Sequence, residues 1–351
     1  MLEKFFLENI PKILEYLDQD VLVIYSKRTV DALVASYFLM EKFAGTAVVK
    51  VVDWPPESGI CVGFVCDGLY LQENRVGVDD AKAELERPTS LSYLAYKLAK
   101  SVEALKREDV MKLYIGVYSW SVDNCDFKCE GLDDMLAEVG GRLSLAFPYP
   151  DQPLGKSLAL STLPMLPGVL GRGVNAEKPL RAMRLEEIVD ALDEALGLVY
   201  DKGFSTQIAD KGLRQIPDDF DVATAALELE AHLAGFVGGG VANAEKYVEL
   251  LAEALEGALR AGEVSLGNPF LAIKLGHYLP YYKGSRPIVL RADAGSGFVV
   301  SVALPLRMRE RLKALAERIA PLGQTTAYYT HVLAYIPRDR WPELLRILEN
   351  I

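Results

Sequence analysis

The chain has 351 residues, half of them hydrophobic, which is enough to bury the core of two domains or of one large α/β domain. No apolar run has the length of a membrane-spanning helix, and the N-terminus lacks the basic start and apolar stretch of a secretion signal. The net charge of −11, from 38 basic and 49 acidic side chains, argues against bulk DNA binding by the whole chain. We therefore expect a cytoplasmic protein that does not contact membranes.

The first third of the chain alternates apolar runs typical of buried strands with helical patterns. Near-continuous apolar strands separated by helices predict a parallel sheet covered on both faces, with ligands at the carboxyl ends of its strands. The predicted strands cover 20–26, 46–54, 59–68, 74–80 and 111–119. The predicted helices cover 29–45 and 90–106.

The rest of the chain changes texture twice. Residues 143–173 are rich in Pro and Gly and predict an ordered loop, and helices dominate from about 185 to 275. A small α/β unit follows, with a hairpin turning at 295–297, a helix, a strand and a terminal helix. We predict an α/β protein in three segments: a parallel-sheet domain at 1–175, a helical connector at 176–284 and a small C-terminal α/β domain at 285–351.

The C-terminal segment has a charge of its own sign. From Arg286 to Ile351 there are 10 Lys and Arg against 6 Asp and Glu, a net of +4, so the remainder carries −15. Arg307, Arg311 and Arg318 fall near one helical face. Such a row is typical of a solvated face, and the functional alternative is contact with a nucleic-acid strand or an acidic partner.

Several residues that carry chemistry elsewhere have plainer interpretations here. The cysteines lack zinc-finger spacing, so they are buried thiols or form one disulfide, the latter plausible in a hyperthermophile. His331 lies in an apolar strand and is interpreted as a packed residue. The three glycines 238–240 predict a flexible helix joint rather than a phosphate loop, since no strand precedes them. The four cysteines are Cys61, Cys66, Cys125 and Cys129.

The segment after the first predicted strand reads Ser-Lys-Arg-Thr-Val-Asp-Ala at 26–32. It resembles the first motif of the DHH phosphoesterases (the RecJ-like group), approximately S-H-N-D-A-D-G, which supplies ligands to two Mn²⁺ or Mg²⁺ ions. In this resemblance Lys27 stands at the histidine position, Thr29 replaces an aspartate and Asp31 alone persists. Two interpretations of Lys27 and Arg28 stay open: they are cations that point into the site, or they belong to an exposed loop end.

The other metal-binding motifs of the family also resemble short segments of this chain. Asp67 matches the second motif, Asp79 and Asp80 match the D-H-H motif without its histidines, and Trp120 stands where the fourth motif has an aspartate. The plainer alternative for these acids is that they are strand-end caps or helix N-terminal acids. The resemblance implies that at most three of about seven ligand positions remain and that the metal centre is lost.

Two further segments extend the resemblance. Residues 153–173, PLGKSLALSTLPMLPGVLGRG, are similar to a proline-spaced segment of the archaeal RecJ-like nucleases that bind the GINS complex. The last unit resembles the DHH-associated domain, whose glycine-rich phosphate loop becomes Thr325, Thr326, Ala327 and Tyr328 here. Threonine side chains block the close approach that glycine allows, so a phosphate grip is expected to be lost.

The resemblance implies a non-catalytic scaffold, related to the archaeal GINS-associated RecJ-like proteins and to the cell-division-cycle subunit of the replicative helicase. Its implied partners are GINS and the MCM ring, with single-stranded DNA as a further contact and no cofactor. The alternative is an enzyme: a diverged Mn- or Mg-dependent single-strand exonuclease or oligonucleotide phosphodiesterase, with its site rebuilt from Asp53, Asp80 or Asp123. A third option is a regulatory subunit of an active paralogous nuclease.

Overall fold

A computed structural model of the chain describes most of its residues. Cys125, Cys129 and Tyr282 lie outside the described residues, and so does the helix predicted at 185–203, apart from Glu187. The described residues are 2–19, 22–43, 46–124, 132–140, 142–145, 147–163, 165, 169–173, 176–179, 182–183, 187, 213–216, 221–281 and 286–349.

The chain divides into two compact units. The first comprises Met1–Ser121 with Lys128–Gly140, and the second comprises Val122–Phe127 with Gly141–Ile351. The three segments predicted from the sequence have other bounds, and that finer division stays a prediction. The α/β class itself is confirmed, since each unit combines a sheet with helices.

The first unit is built on a six-stranded sheet. The strands are β1 (Leu22–Lys27), β2 (Ala47–Val52), β3 (Ser58–Val62), β4 (Asp67–Gln72), β5 (Arg75–Val78) and β6 (Ala81–Glu84). Their order is β2-β1-β3-β4-β5-β6. The first four are parallel, and β5 and β6 continue the sheet as antiparallel neighbours. The predicted parallel sheet is therefore confirmed for β1 to β4.

One predicted strand, at 59–68, is two strands in the structure. β3 ends at Val62, and β4 begins only five residues later, parallel to β3 and beside it. Periodicity alone does not reveal this break, because the residues before and after the internal glycine are equally apolar. Each side of the glycine is consistent with one continuous buried strand. The error matters, because it changes which acids lie at the carboxyl edge of the sheet.

The helices of this unit are α1 (Leu2–Leu17), α2 (Val30–Phe43), α3 (Leu91–Val102), α4 (Arg107–Asn124) and α5 (Leu132–Val139). The strand predicted at 111–119 is wrong, since those residues lie inside α4. Short apolar runs do not separate a buried helix from a strand. The available signal was the pair Glu108 and Asp109, which lie in the first turn of α4 where acids favour a helix start.

The second unit contains a two-stranded pair and a five-stranded sheet. The pair joins β7 (Arg142–Leu145) to β8 (Leu213–Ile216). The strands of the larger sheet are β9 (Glu263–Leu266), β10 (Ile288–Asp293), β11 (Gly297–Ala303), β12 (Gln324–Ala327) and β13 (His331–Pro337), in the order β12-β13-β11-β10-β9. The predicted hairpin is confirmed between β10 and β11, where Gly295 has a φ of 75° that favours glycine.

Among the described residues, the helices of the second unit are α6 (Leu154–Ala159), α7 (Val222–Leu233), α8 (Val241–Ala261), α9 (Pro269–Gly276), α10 (Leu312–Ile319) and α11 (Trp341–Leu348). A 3₁₀ segment precedes α10, where the sequence predicts continuous helix. α8 ends before Gly262, as predicted, and Gly240 precedes it with a φ of 101°. The helices α10 and α11 share one apolar core with the strands β11 and β13, and this core includes Val300, Leu315 and Ile336. None of the described helices is long and apolar enough to cross a bilayer.

Candidate functional site

The carboxyl edge of the parallel strands carries a buried ion pair. β1 ends at Lys27, and Glu73 follows the last residue of β4. The Lys27 Nζ lies 2.6 Å from Oε1 of Glu73, and the two side chains are 1% and 3% exposed. Two unlike charges this deeply buried are stabilised only as a pair, because either one alone carries a large desolvation cost.

A glycine makes room for the lysine stem. Gly63 follows β3 with a φ of 93°, and a Cβ added there would lie 2.5 Å from Cβ and 2.8 Å from Cδ of Lys27. Its N–H donates to the carbonyl of Leu71 on β4 at 2.7 Å. The link between β3 and β4 therefore packs directly on Lys27, and no other residue type fits at position 63 without displacing it.

The same link is closed by a disulfide between Cys61 and Cys66, whose Cα atoms are 6.4 Å apart. Of the two alternatives left open by the sequence, one disulfide is therefore correct for this pair. Both residues are buried, at 0% and 8% exposure.

The residues after Lys27 are paired or used as caps. Arg28 donates from Nε and Nη2 to the two carboxylate oxygens of Asp53, at 2.5 and 3.0 Å, just beyond the end of β2. Thr29 begins α2, where its Oγ1 accepts from the N–H of Ala32 at 3.2 Å. Thr29, which the resemblance places at an aspartate position, thus has a role in local structure.

Asp31 stabilises the start of another helix. Its carboxylate accepts from the Oγ of Ser90 and from the N–H groups of Leu91 and Ser92, at 2.7, 2.7 and 2.9 Å. These are the first amides of α3, which have no partner within the helix. Gly116 on α4 closes over the group, since a Cβ there would lie 3.0 Å from Oδ1 of Asp31. The interpretation of Asp31 as a helix N-terminal acid is supported by this geometry.

The environment of Asp31 also changes its proton affinity. Burial raises the pKa of Asp31 to about 6, and its hydrogen bonds to Ser90, Ser92 and Leu91 offset only part of that rise. At neutral pH the carboxylate is mostly ionised, with its charge facing the positive end of α3.

The other matched acids lie at the opposite edge of the sheet, which corrects the expectation that they converge with Asp31. Asp67 begins β4, and Asp79 follows β5, which runs antiparallel to β4. Asp67, Asp79 and Asp80 are all exposed. The hydroxyl of Tyr16 donates to Asp79 at 2.5 Å, and this hydrogen bond raises the pKa of Tyr16. These acids therefore cannot share ions with Asp31.

Trp120 does not follow a strand, in contrast to the expectation from its motif. It lies inside α4 and is 9% exposed. Asp123, one of the acids considered for a rebuilt site, belongs to the second unit, where it pairs with a buried lysine. Asp53, a further such acid, is the partner of Arg28.

Glu73 is the site residue that sequence reasoning missed. It could be found only by locating β4 correctly, because it is the residue that follows that strand, as Lys27 is the last residue of β1. Assigning 59–68 to one strand placed Asp67 near the strand end and assigned no strand to the residues just before Glu73.

The second unit holds a larger buried charge cluster among its helices. Lys274 on α9 lies 2.8 Å from Glu230 of α7 and 3.0 Å from Asp123, and its side chain is 2% exposed. The hydroxyls of Tyr247 and Tyr278 donate to Glu230 and Asp123 at 3.1 and 2.7 Å. The cluster thus joins four separate segments of this unit.

Burial and mutual attraction shift the proton affinities within this cluster in opposite senses. Burial raises the pKa of Glu230, and the attraction of Lys274 lowers it again by less than that rise. For Lys274, burial lowers the pKa, but the two carboxylates outweigh burial and raise it. Lys274 therefore stays charged, and Glu230 is the carboxyl that takes up a proton more readily than usual.

The residues matched to the phosphate loop form a strand and its turn. Thr325, Thr326 and Ala327 lie in β12, which pairs with β13. Tyr328 is 8% exposed, and its ring stacks on His331 with centroids 4.8 Å apart. His331 is fully buried, in agreement with its interpretation as a packed residue.

The three arginines matched to a contact surface are exposed. Arg307 and Arg311 lie in the 3₁₀ segment before α10, and Arg318 lies in α10 itself. Arg318 donates to the carbonyl of Ile347 at 3.3 Å, and the neighbouring Arg309 stacks over the ring of Tyr329 at 4.7 Å. All three arginines are therefore available to solvent within the second unit.

Comparison with known proteins gives the following. No family model matches the chain. No curated protein matches it. It is similar to the crystal structure of CDC45 from Entamoeba histolytica, with 13% identity over 99% of this chain and 98% of that chain and a TM-score of 0.47. It is also similar to RecJ in complex with Mn²⁺ from Thermus thermophilus, with 13% identity over 99% of this chain and 54% of that chain and a TM-score of 0.41. The chain spans about half the length of that RecJ.

Proposed function

We propose that the protein is a non-catalytic RecJ-like scaffold of a DNA replication assembly. The observation that carries the proposal is the buried pair of Lys27 and Glu73 at the carboxyl edge of the sheet. An ammonium group there supplies the positive charge that divalent ions would otherwise bring to this edge. The edge is then held together by the protein itself.

The donors at this edge do not fit a pair of Mn²⁺ or Mg²⁺ ions. Such ions need several oxygen ligands that converge on one point. Here Glu73 faces Lys27, Asp53 faces Arg28, and Asp31 faces the amides of α3. The acids that the motifs would add, Asp67 and Asp79, lie at the other edge. Within the described residues, no group of three or more His, Cys, Asp or Glu side chains is placed to hold a metal.

The partners follow from the resemblance and not from the geometry. Residues 153–173 are similar to a segment of the archaeal GINS-binding nucleases, so we propose GINS and the MCM ring as partners. The exposed arginines 307, 311 and 318 lie on a unit whose last 66 residues carry a charge of +4, which suits a single strand or an acidic partner surface. The scaffold acts through binding energy, without chemistry of its own.

Metal binding and cleavage give the first test. We expect calorimetric titration with Mn²⁺ to show no micromolar site and a labelled single-stranded oligonucleotide to remain intact. Weak Mn²⁺ binding by the exposed acids at the opposite edge of the sheet is recognised with the variant Asp67→Asn/Asp79→Asn. This variant should remove such binding, and it leaves Lys27 and Glu73 unchanged. Micromolar Mn²⁺ binding together with cleavage would favour the exonuclease alternative and contradict the scaffold.

Direct binding gives the second test. Purified GINS and MCM subunits from the same source should each bind the full-length protein in biolayer interferometry. A labelled oligothymidine should bind through the arginine surface, with an affinity that falls with salt. Arg307→Ala/Arg311→Ala should weaken DNA binding and reduce its salt dependence, whereas Lys12→Ala in α1 should not. Absence of binding to both subunits refutes the scaffold and favours the regulatory-subunit option.

A further inference from the structure

The link between β3 and β4 is unusually short for a parallel pair. Parallel neighbours are normally joined by a dozen or more residues, whereas this link has only the four residues 63–66. The register sets Ser58 beside Asp67, so the chain returns about 13 Å along the sheet and about 5 Å across it. Five residue steps reach at most about 17 Å. The link therefore has little slack, and its backbone bends at Gly63 and Phe64.

Two of its contacts connect this short link to the site described above. At its start, Gly63 packs on the stem of Lys27 and donates to Leu71. At its end, Cys66 is bonded to Cys61, which lies within β3. Phe64, between them, is fully buried. The disulfide thus pins the far end of the segment whose near end covers Lys27.

We propose that the Cys61–Cys66 pair is a thiol–disulfide exchange site that controls the closure of the link over Lys27 and Glu73. An external dithiol attacks one sulfur through its thiolate, the S–S bond breaks, and a mixed disulfide forms. The second thiol of the reagent resolves it and leaves as a cyclic disulfide. Cys61 and Cys66 each end as thiols, having gained one electron and one proton. The link then loses its covalent attachment to β3 and opens by local unfolding, which admits water to the ion pair.

The proposal deepens the site on which the proposed function rests, but it does not depend on which partner the protein binds. The reactivity of Lys27 reports closure of the link, whereas metal titration and partner binding report the scaffold. Failure of one therefore leaves the other measurable.

Acetylation of the full-length protein, followed by peptide mass spectrometry, tests the proposal. Lys27 should react about tenfold faster after treatment with dithiothreitol than in the oxidised protein, because local opening exposes it. Lys274, which is buried to the same degree in the other unit, is the internal control and should keep its rate. Cys61→Ala/Cys66→Ala should reproduce the fast rate without reductant. Cys125→Ser/Cys129→Ser should retain the response to reductant.

Three results overturn the proposal. The first is alkylation of both Cys61 and Cys66 in the unreduced, denatured protein, because the bond is then absent. The second is equal protection of Lys27 in the oxidised and reduced states, because the disulfide then has no influence on the site. The third is a parallel increase at Lys27 and Lys274 in the alanine variant, because the whole protein and not the link has then opened.

Discussion

Each unit of the molecule buries a lysine, and the two lysines are neutralised in different ways. Among the described residues, Lys27 and Lys274 are the buried lysines, with side chains 1% and 2% exposed. Lys27 faces one carboxylate, Glu73, so its pair is neutral. Lys274 faces two, Asp123 and Glu230, and two tyrosine hydroxyls complete the cluster.

This difference separates a balanced charge site from an overloaded one. A neutral pair needs no further charge to balance it. It lies at the edge where the family that the motifs resemble has metal ions. The second cluster carries one excess negative charge when fully ionised, and the rise in the pKa of Glu230 follows from burial of that excess. A buried ion pair contributes little net stability, yet removal of one partner is costly. The predictions below use that asymmetry.

The largest effect is expected for Lys274→Met. The substitution leaves Asp123 and Glu230 buried together without a cation, so we expect the free energy of unfolding to fall by about 5 kcal/mol. Urea denaturation measures it, with the exposed Lys12→Met as the control for the loss of a lysine. Adding Glu230→Gln should recover part of the loss. A fall no larger than that of Lys12→Met would show that the cluster is not held by its lysine.

Lys27→Met should cost slightly less, about 4 kcal/mol, because only one buried carboxylate loses the cation that neutralises it. The double variant Lys27→Met/Glu73→Gln removes the remaining charge and should recover most of the stability. Denaturant unfolding of the two variants and the wild type gives the comparison. If the double variant is as unstable as the single one, the cost comes from packing around the lysine stem and the charge argument fails.

The sequence predicted the strand and helix on either side of Lys27 better than it predicted which side chains contact Lys27. The strand and helix predicted on either side of residues 26–32 agree with the end of β1 and the start of α2, because strand and helix periods there are unambiguous. Glu73 was missed and Asp67 misplaced, because a four-residue link between parallel strands has no periodic signature. The cluster around Lys274 was not predicted either, since it joins residues 151 positions apart whose pairing only tertiary packing decides.

Asp31 represents a third way of neutralising a buried charge, through helix amides, and it predicts a pH dependence. Its pKa is raised to about 6 from an ordinary value of 3.8, so the folded state binds the proton more tightly than the unfolded state. Its contribution to stability is therefore complete below the ordinary value and is lost as pH rises through about 6. The loss is about 3 kcal/mol.

Unfolding measured from pH 4 to pH 7 tests this dependence. Asp31→Asn should remove that part of the slope, whereas the exposed Asp67→Asn should keep it. Carbon-13 NMR of the Asp31 carboxyl should give a midpoint near 6. A midpoint near 4, with the slope unchanged in Asp31→Asn, would mean that the amides of α3 fully offset burial.

The smallest effect is expected for Glu230→Gln. This variant tests most directly whether the Lys274 cluster differs in charge from the Lys27 pair. Because the folded pKa of Glu230 is raised, its contribution is present at low pH and lost as pH rises. The pKa of Lys274 is raised too, but a lysine so shifted loses its contribution only in the alkaline range, outside this window. The glutamine leaves Asp123 and Lys274 as a neutral pair like that of Lys27 and Glu73. We therefore expect Glu230→Gln to match the wild type near pH 4 and to exceed it by about 1 kcal/mol at pH 8. Glu73→Gln is the matched control and should destabilise the protein at both pH values, because it removes the carboxylate charge that neutralises the buried Lys27. Equal behaviour of the two glutamine variants would show that the second cluster carries no excess charge, and the contrast between the two units would then disappear.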